Sequence, residues 1–254
     1  MAAIITGSDS GIGKATAVVL ARRGHDVGIT YNVDEYGAAA TAREVHSHGR
    51  RAEVRHLDLT DTARVQRTID ELADALGGVD VLVNNAGTGA STPFLELRLD
   101  EWRDILEVDL TGAFLAAQAA ARRMVDGGSG GRIVNVTSVH EHVPLDGSTP
   151  YVVAKHGLGG LTKSMALELA EHGITVNSVA PGEISTPMTG QENVDPHTKE
   201  RPGVPAGRPG DAREVAELIG YLASPEASYT TGASFVIDGG MLLMAAQANQ
   251  LATA

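Results

Sequence analysis

The feature that most restricts the fold lies at the start of the chain. A short apolar run, Ala2 to Thr6, passes through Gly7-Ser-Asp-Ser-Gly11-Ile-Gly13 straight into a helical pattern marked by Ile12, Thr16, Val19 and Leu20. A run of this kind reads as a short buried strand, and the period that follows reads as a helix. Glycines at such a junction permit a tight turn, close approach of backbone to a pyrophosphate, and close packing of helix on strand. The helix N-terminus then faces the anion. The spacing is Gly-x-x-x-Gly-x-Gly, and a turn with no ligand is the other reading of it.

The same alternation continues along the chain. A strand is expected at Asp26 to Tyr31, a helix over 35–48, a strand near 52–57, a helix over 62–76 and a strand at Val79 to Val83. A long helix over 100–125 follows, with Trp102, Ile105, Leu106, Leu110 and Phe114 on its apolar side. After the flexible connection Gly127 to Gly131 come a β-rich run to Ser138, a helix from Tyr151 to about His172 and a strand at Ile174 to Ala180. The inner face of that last helix is Ala154, Leu158, Leu161, Met165 and Leu169. A helix over 211–223 and a strand at Ser234 to Ile237 close the series, and the tail Met241 to Ala254 has no strong signal. Strands alternating with helices of this length imply one α/β domain of about seven strands, its parallel sheet built with right-handed crossovers.

At 254 residues the chain is long enough for a substantial core. Its formal net charge of −12 argues against a nucleic-acid or anionic-membrane partner, which would need Lys and Arg against phosphate. The absence of cysteine excludes disulfides, thiolate catalysis and Cys-based metal sites. His46 with His48 and His140 with His142 read as loop or helix-end residues, so no metal site is expected. With no basic leader and no apolar run of about 18 residues, neither export nor membrane insertion is expected, and the cytoplasm is the default location.

Chemistry concentrates in Ser138, Tyr151 and Lys155. Residues four apart share a helix face, so in Tyr151-Val-Val-Ala-Lys155 the ammonium can lie beside the phenol. A free phenol keeps its proton to about pH 10, and a fixed positive charge nearby favours the phenolate, which makes a useful proton carrier. Ser138 adds a neutral hydroxyl for the oxygen whose proton moves. Tyr-x-x-x-Lys taken alone is equally a surface helix with its Lys in water.

Other candidates stand at the ends of predicted strands. At the end of the second, where a dinucleotide fold reads the adenosine ribose, stand Tyr31 and Asn32, with Asp34 and Glu35 beyond, so no charge fixes the choice of nucleotide. Asp58 and Leu59 follow the third strand, where adenine would lie; a solvated turn acid is the alternative for Asp58. Asn84-Asn85-Ala86-Gly87 follows the fourth, its small residues allowing a flat ring or ribose near the backbone. Residues 183–210, rich in Pro, Gly and polar residues, read as a substrate lid at the carboxyl edge.

Together these pieces resemble the short-chain dehydrogenase/reductase family over essentially the whole chain. The matching stretches are Thr6 to Gly13, Asn84 to Gly87, Ser138, Tyr151 with Lys155, Pro181-Gly182, and Thr231-Gly232 to Asp238-Gly-Gly240. The resemblance implies a Rossmann-type, doubly wound sheet with one extra strand, bound NAD or NADP, and usually a homotetramer. It implies Tyr151 as acid/base, Lys155 also on the nicotinamide ribose, and Ser138 on the substrate oxygen. Gly7, Ser10, Ile12, Gly13, Tyr31, Asn32, Asp58, Leu59, Asn85, Ala86 and Gly87 would contact the nucleotide. Pro181, Gly182, Ile184 and Thr186 would hold its carboxamide end.

One position departs from the family pattern. Val108-Asp109-Leu110 stands where Asn is common, at a place that helps hold a water linking the Lys to solvent. Asp109 is expected to keep that role. The implied reaction is interconversion of a carbonyl and a secondary alcohol. More of the chain resembles small-carbonyl (acetoin/diacetyl) reductases, whereas Ser138-Val-His140-Glu141 resembles glucose dehydrogenases; a 3-oxoacyl-carrier-protein reductase is a further alternative. His140, Glu141 and Glu183 either touch substrate or are solvated loop residues. A nucleotide-sensing regulator without turnover is the non-enzymatic alternative.

Overall fold

The computed structural model describes residues 1–89, 91–191 and 194–244. The expected tail reading beyond Met244 lies outside these. In chain order the sheet strands are β1 (Ala2–Ile5), β2 (Asp26–Tyr31), β3 (Ala52–His56), β4 (Val81–Asn84), β5 (Gly131–Val136) and β6 (Ile174–Pro181). Two short strands, β7 (Ile184–Ser185) and β8 (Gly210–Asp211), precede β9 (Ser234–Ile237). The main sheet has seven strands in the order β3-β2-β1-β4-β5-β6-β9, every pair parallel. Every residue of β1, β4 and β6 is buried, as expected of strands covered on both faces.

Among the described residues, seven helices cover the sheet: α1 (Gly11–Arg22), α2 (Glu35–Ser47), α3 (Thr62–Leu76), α4 (Leu99–Leu106), α5 (Ala113–Gly127), α6 (Thr149–Leu169) and α7 (Ala212–Leu222). The strand period of two separates two cores. Ile4, Leu82 and Ile133 face α3, α5 and α6, where Ile69, Leu72 and Ala120 meet them. Ile5, Val83 and Val134 face α1, α2 and α7, where Leu20, Val45 and Ile219 meet them. Each fully buried Leu or Ile contributes about 1.5–3 kcal/mol of transfer free energy.

From β3 at one edge the chain returns to place β4 beside β1. This reversal opens a crevice at the carboxyl ends of β1 and β4, the usual ligand position in open parallel sheets. Gly7, Asn85 and Ser138 all lie just beyond strand ends that meet there.

The sequence pattern over 100–125 predicts one helix, but two are present. Glu107–Gly112 forms a π-helical turn between α4 and α5. The wider turn brings the Asp109 side chain inward, and the residue is 1% exposed. Gly112 permits it, since a Cβ there would stand 2.7 Å from that of Leu59. Of the predicted apolar face, Ile105 is buried, Trp102, Leu106 and Leu110 are half-buried, and Phe114 is 40% exposed. Residues 183–210 are less irregular than expected, because β7 and β8 pair in parallel and Pro187–Thr189 and Pro196–Thr198 form short 3-10 turns.

Candidate active site

A cleft of about 920 Å³ runs along the carboxyl edge of the sheet. Gly7, Ser10, Ile12 and Gly13 occupy the β1–α1 turn, and all but the buried Gly13 line the cleft. Gly7 has φ +60°, and a Cβ on Gly13 would stand 2.1 Å from the Gly7 carbonyl oxygen. This junction therefore closes only with glycine. Ser10 makes no side-chain cap to α1, and no acid stands in the first turn of that helix. The free N–H groups at the helix start are thus left for an anion. The nucleotide's pyrophosphate fits this donor set.

At the end of the cleft where the adenosine is expected, Asp9, Asn32, Val33, Asp58 and Leu59 line the wall. Burial pushes the Asp9 carboxyl above its ordinary value, and the neighbouring Asp34 charge adds to that. Asp58 accepts from the Thr60 backbone N–H at 2.9 Å and its hydroxyl at 2.8 Å, bonds that hold its pKa below the usual range. Asp58 is thus both a turn acid and a wall of the cleft. Tyr31 does not line the cleft, and its ring packs edge-on against His56, 5.5 Å between centroids.

The β4 end is tied to β1. The Asn85 side chain donates to the carbonyls of Thr6 at 3.0 Å and Gly7 at 2.8 Å, while the Thr6 hydroxyl accepts from the N–H groups of Asn85 and Ala86. Gly87 leaves space that a side chain would fill, a Cβ there meeting Asp109 Oδ2 at 3.2 Å and Lys155 Nζ at 3.3 Å. Pro181, Gly182, Ile184 and Thr186 line the other end of the cleft.

Tyr151 sits in the first turn of α6 behind Pro150, a residue suited to a helix start. One turn on, the Lys155 ammonium lies 5.3 Å from the centre of the Tyr151 ring. It stands 3.0 Å from Asp109 Oδ2 and 3.4 Å from the Val136 carbonyl, and the Lys155 side chain is 5% exposed. Burial alone would lower the Lys155 pKa; the charges of Asp109 and Tyr151, with the Asp109 hydrogen bond, outweigh it and raise the pKa. Asp109 Oδ1 accepts from the Thr88 N–H at 2.7 Å. Asp109 thus joins the π-turn, the β4 loop and the ammonium directly, which is closer engagement than the water-holding role expected of it.

Ser138 is extended and caps a 3-10 turn, Val139–Glu141, its hydroxyl accepting from the His140 N–H at 3.2 Å. Ser138, His140, Tyr151 and Lys155 all line the cleft, and the His140 ring stands 6.2 Å from that of Tyr151. Glu183 lines it too, but its carboxylate is engaged by Arg201 at 2.6 Å and Gln191 at 2.8 Å. Glu141 is a correction. Neither solvated nor in the cleft, it is 7% exposed and receives hydroxyl contacts beneath Ser138. Leu145, Met188 and Met241 also line the cleft and have no sequence signal, since they come from three separate segments. Thr88 was findable only as the residue following Gly87.

A family model described as Enoyl-(Acyl carrier protein) reductase matches residues 7–242. The chain is 53% identical to the uncharacterized oxidoreductase YohF of Escherichia coli K12, over 97% of this chain and 98% of that protein. A 3-oxoacyl-[acyl-carrier-protein] reductase, FabG, of Vibrio harveyi is 41% identical over 95% of this chain and 97% of its own. The acetoin dehydrogenase structure from Enterobacter cloacae superposes with a TM-score of 0.90 at 54% identity, covering 95% of both chains. That of acetoin dehydrogenase YohF from Salmonella typhimurium gives 0.90 at 52% identity, covering 95% and 96%. With a family model over residues 7–242 and relatives above 50% identity along nearly the whole chain, the chain belongs to the short-chain dehydrogenase/reductase family as an oxidoreductase of its dehydrogenase/reductase type.

Proposed function

We propose that the chain interconverts a small vicinal dicarbonyl and its hydroxyketone, as an NADH-preferring acetoin/diacetyl reductase. The observation that carries this reading is the meeting of Ser138, Tyr151 and Lys155 on one wall of a cleft whose other end is a helix N-terminus open to an anion. The bound nicotinamide supplies or takes up the hydride. Tyr151 delivers a proton to the carbonyl oxygen in reduction and removes it in oxidation. Lys155 holds its positive charge beside the phenol, and Ser138 donates a hydrogen bond to the oxygen as charge develops there. The small-substrate reading is supported by the two acetoin dehydrogenase structures at 52–54% identity and by apolar Leu145, Met188 and Met241 in the same cleft.

NADH is preferred because the described residues lining the adenosine end include Asp9 and Asp58 and no Lys or Arg, whereas a 2′-phosphate is favoured by a cation. Residues 183–210 serve as the substrate lid. One domain acts in the cytoplasm as a homotetramer; exposed Leu99 and Phe114 on the α4–α5 arm suit a subunit contact. Among the described residues no helix is long and apolar enough to cross a membrane.

The test is nicotinamide absorbance with diacetyl, acetoin, glucose and a 3-oxoacyl thioester, each with both nucleotides, alongside the molecular mass in solution. Diacetyl turnover with NADH ahead of the other substrates is the expected result. Glucose or the thioester ahead would move the chain to the sugar or acyl reading. Tight nucleotide binding with no turnover on any of them would make it a sensor.

A further inference from the structure

Glu141 is a buried carboxylate that the proposed reaction does not use, and it has no Lys, Arg or His within ion-pair distance among the described residues. Such a group is costly unless hydrogen-bonded. One oxygen, Oε2, is met by three hydroxyls: Thr137 just past β5 at 2.7 Å, Ser178 of β6 at 3.2 Å and Ser234 of β9 at 3.1 Å. The other, Oε1, faces α6 at Gly159, where a Cβ would stand 2.4 Å away. Glycine inside a helix costs about 1 kcal/mol relative to alanine, and here it clears the carboxylate.

The backbone links this anchor to the reaction centre. The Glu141 N–H donates to the Ser138 carbonyl at 2.8 Å, so the two residues close one 3-10 turn. The helix against which Glu141 lies also carries Tyr151. We propose that Glu141 is a positioning residue, a wedge between β5, β6, β9 and α6 that sets the Ser138 hydroxyl against the Tyr151 phenol. The inference rests on the role proposed above for Ser138.

The experiment measures diacetyl reduction, NADH affinity by fluorescence and amide exchange over residues 138–143 in Glu141→Gln, Glu141→Ala, Gly159→Ala and the Glu141→Ala/Gly159→Ala double variant. Glu141→Ala is expected to lower kcat by about 10- to 100-fold, the scale of a misplaced reacting group, with NADH affinity within about twofold and faster exchange in the turn. Glu141→Gln, which keeps an acceptor for the hydroxyls, recovers most of the rate. Gly159→Ala lowers kcat by pushing the carboxylate aside. The double variant is no slower than Glu141→Ala alone, because the two changes act through one contact.

Wild-type exchange in the turn of Glu141→Ala, additive losses in the double variant, or a Glu141→Gln protein that fails to fold or loses NADH affinity together with turnover would each overturn the proposal. Full turnover by Ser138→Ala would instead remove the role given to Ser138. The exchange measurement would still report whether Glu141 holds the turn.

Discussion

Asp109 Oδ2 and the Lys155 ammonium lie 3.0 Å apart, with side-chain exposures of 0% and 5%. Removing one member of a buried pair leaves the other charge unmatched, at a typical cost of about 3–5 kcal/mol. Asp109→Ala should therefore unfold at markedly lower urea concentration than wild type and lose most of its turnover. Asp109→Asn, which can still accept from the Thr88 N–H, should fall between them. Equal turnover of Asp109→Ala and wild type would remove this side chain from the mechanism. The Lys155 pKa is raised in the fold. Its stabilisation is therefore fully present below the unfolded lysine value of about 10.4 and fades as pH rises through the folded value. The stability gap between wild type and Asp109→Ala should accordingly be widest below the variant's own Lys155 value, which loses the raising effect of Asp109, and narrow as pH rises through it.

Tyr151→Phe retains the ring beside Lys155 and deletes only the hydroxyl. Turnover should fall by about 10²–10⁴-fold, the usual worth of a positioned acid/base. NADH affinity should remain within a few-fold, which fluorescence titration would check. Undiminished turnover would end the proton-transfer reading.

At the adenosine end, Asn32→Arg introduces the cation that the wall lacks. The ratio of kcat/KM for NADPH to that for NADH should rise by about tenfold or more, the equivalent of one charge-assisted contact of roughly 1.5–3 kcal/mol. A wild-type enzyme that already favours NADPH would contradict the reading of this wall.

Glu183 joins residues 183–210 to the cleft through Arg201 and Gln191. Partial burial would raise its pKa, but the hydrogen bonds from Gln191 and Arg201 and the Arg201 charge outweigh it and hold the pKa low. The tether's stabilisation is thus present above the unfolded carboxylate value of about 4.3 and lost as pH falls through the folded value. Limited proteolysis within 187–209 should be slow at pH 6–8, quicken in acid, and be fast at neutral pH in Arg201→Met. If that variant is cleaved at the wild-type rate, this pair does not hold the segment.

Periodicity made most of the framework legible before any coordinates. Seven strands and the glycine junction at Gly7 to Gly13 follow from local patterns, because burial on both faces of a parallel sheet leaves continuous apolar runs. Tyr151 with Lys155 was legible for the same reason, since helical spacing alone sets them on one face. The π-turn was not legible: Glu107 to Gly112 satisfies a helical pattern, and only the contact of Gly112 with Leu59 and the pull of Lys155 on Asp109 distinguish it. Glu141 misled because a charged residue next to Ser138 reads as a ligand contact. Two of its three hydroxyl partners lie 37 and 93 positions away, beyond the reach of any local pattern. The packing of the Tyr31 ring on His56 of the adjacent strand was likewise beyond local pattern.

The order in which strands join the sheet bears on how the enzyme emerges from the ribosome. β9 is the last of the described strands to be made, and its Ser234 completes the hydroxyl trio around Glu141. A nascent chain that has released only β1 to β6 holds Gly7, Asn85 and Tyr151 but lacks Ile184 and Thr186 from the cleft wall, and the floor under Ser138 is unfinished. Catalytic competence should therefore wait on the release of β9 during synthesis.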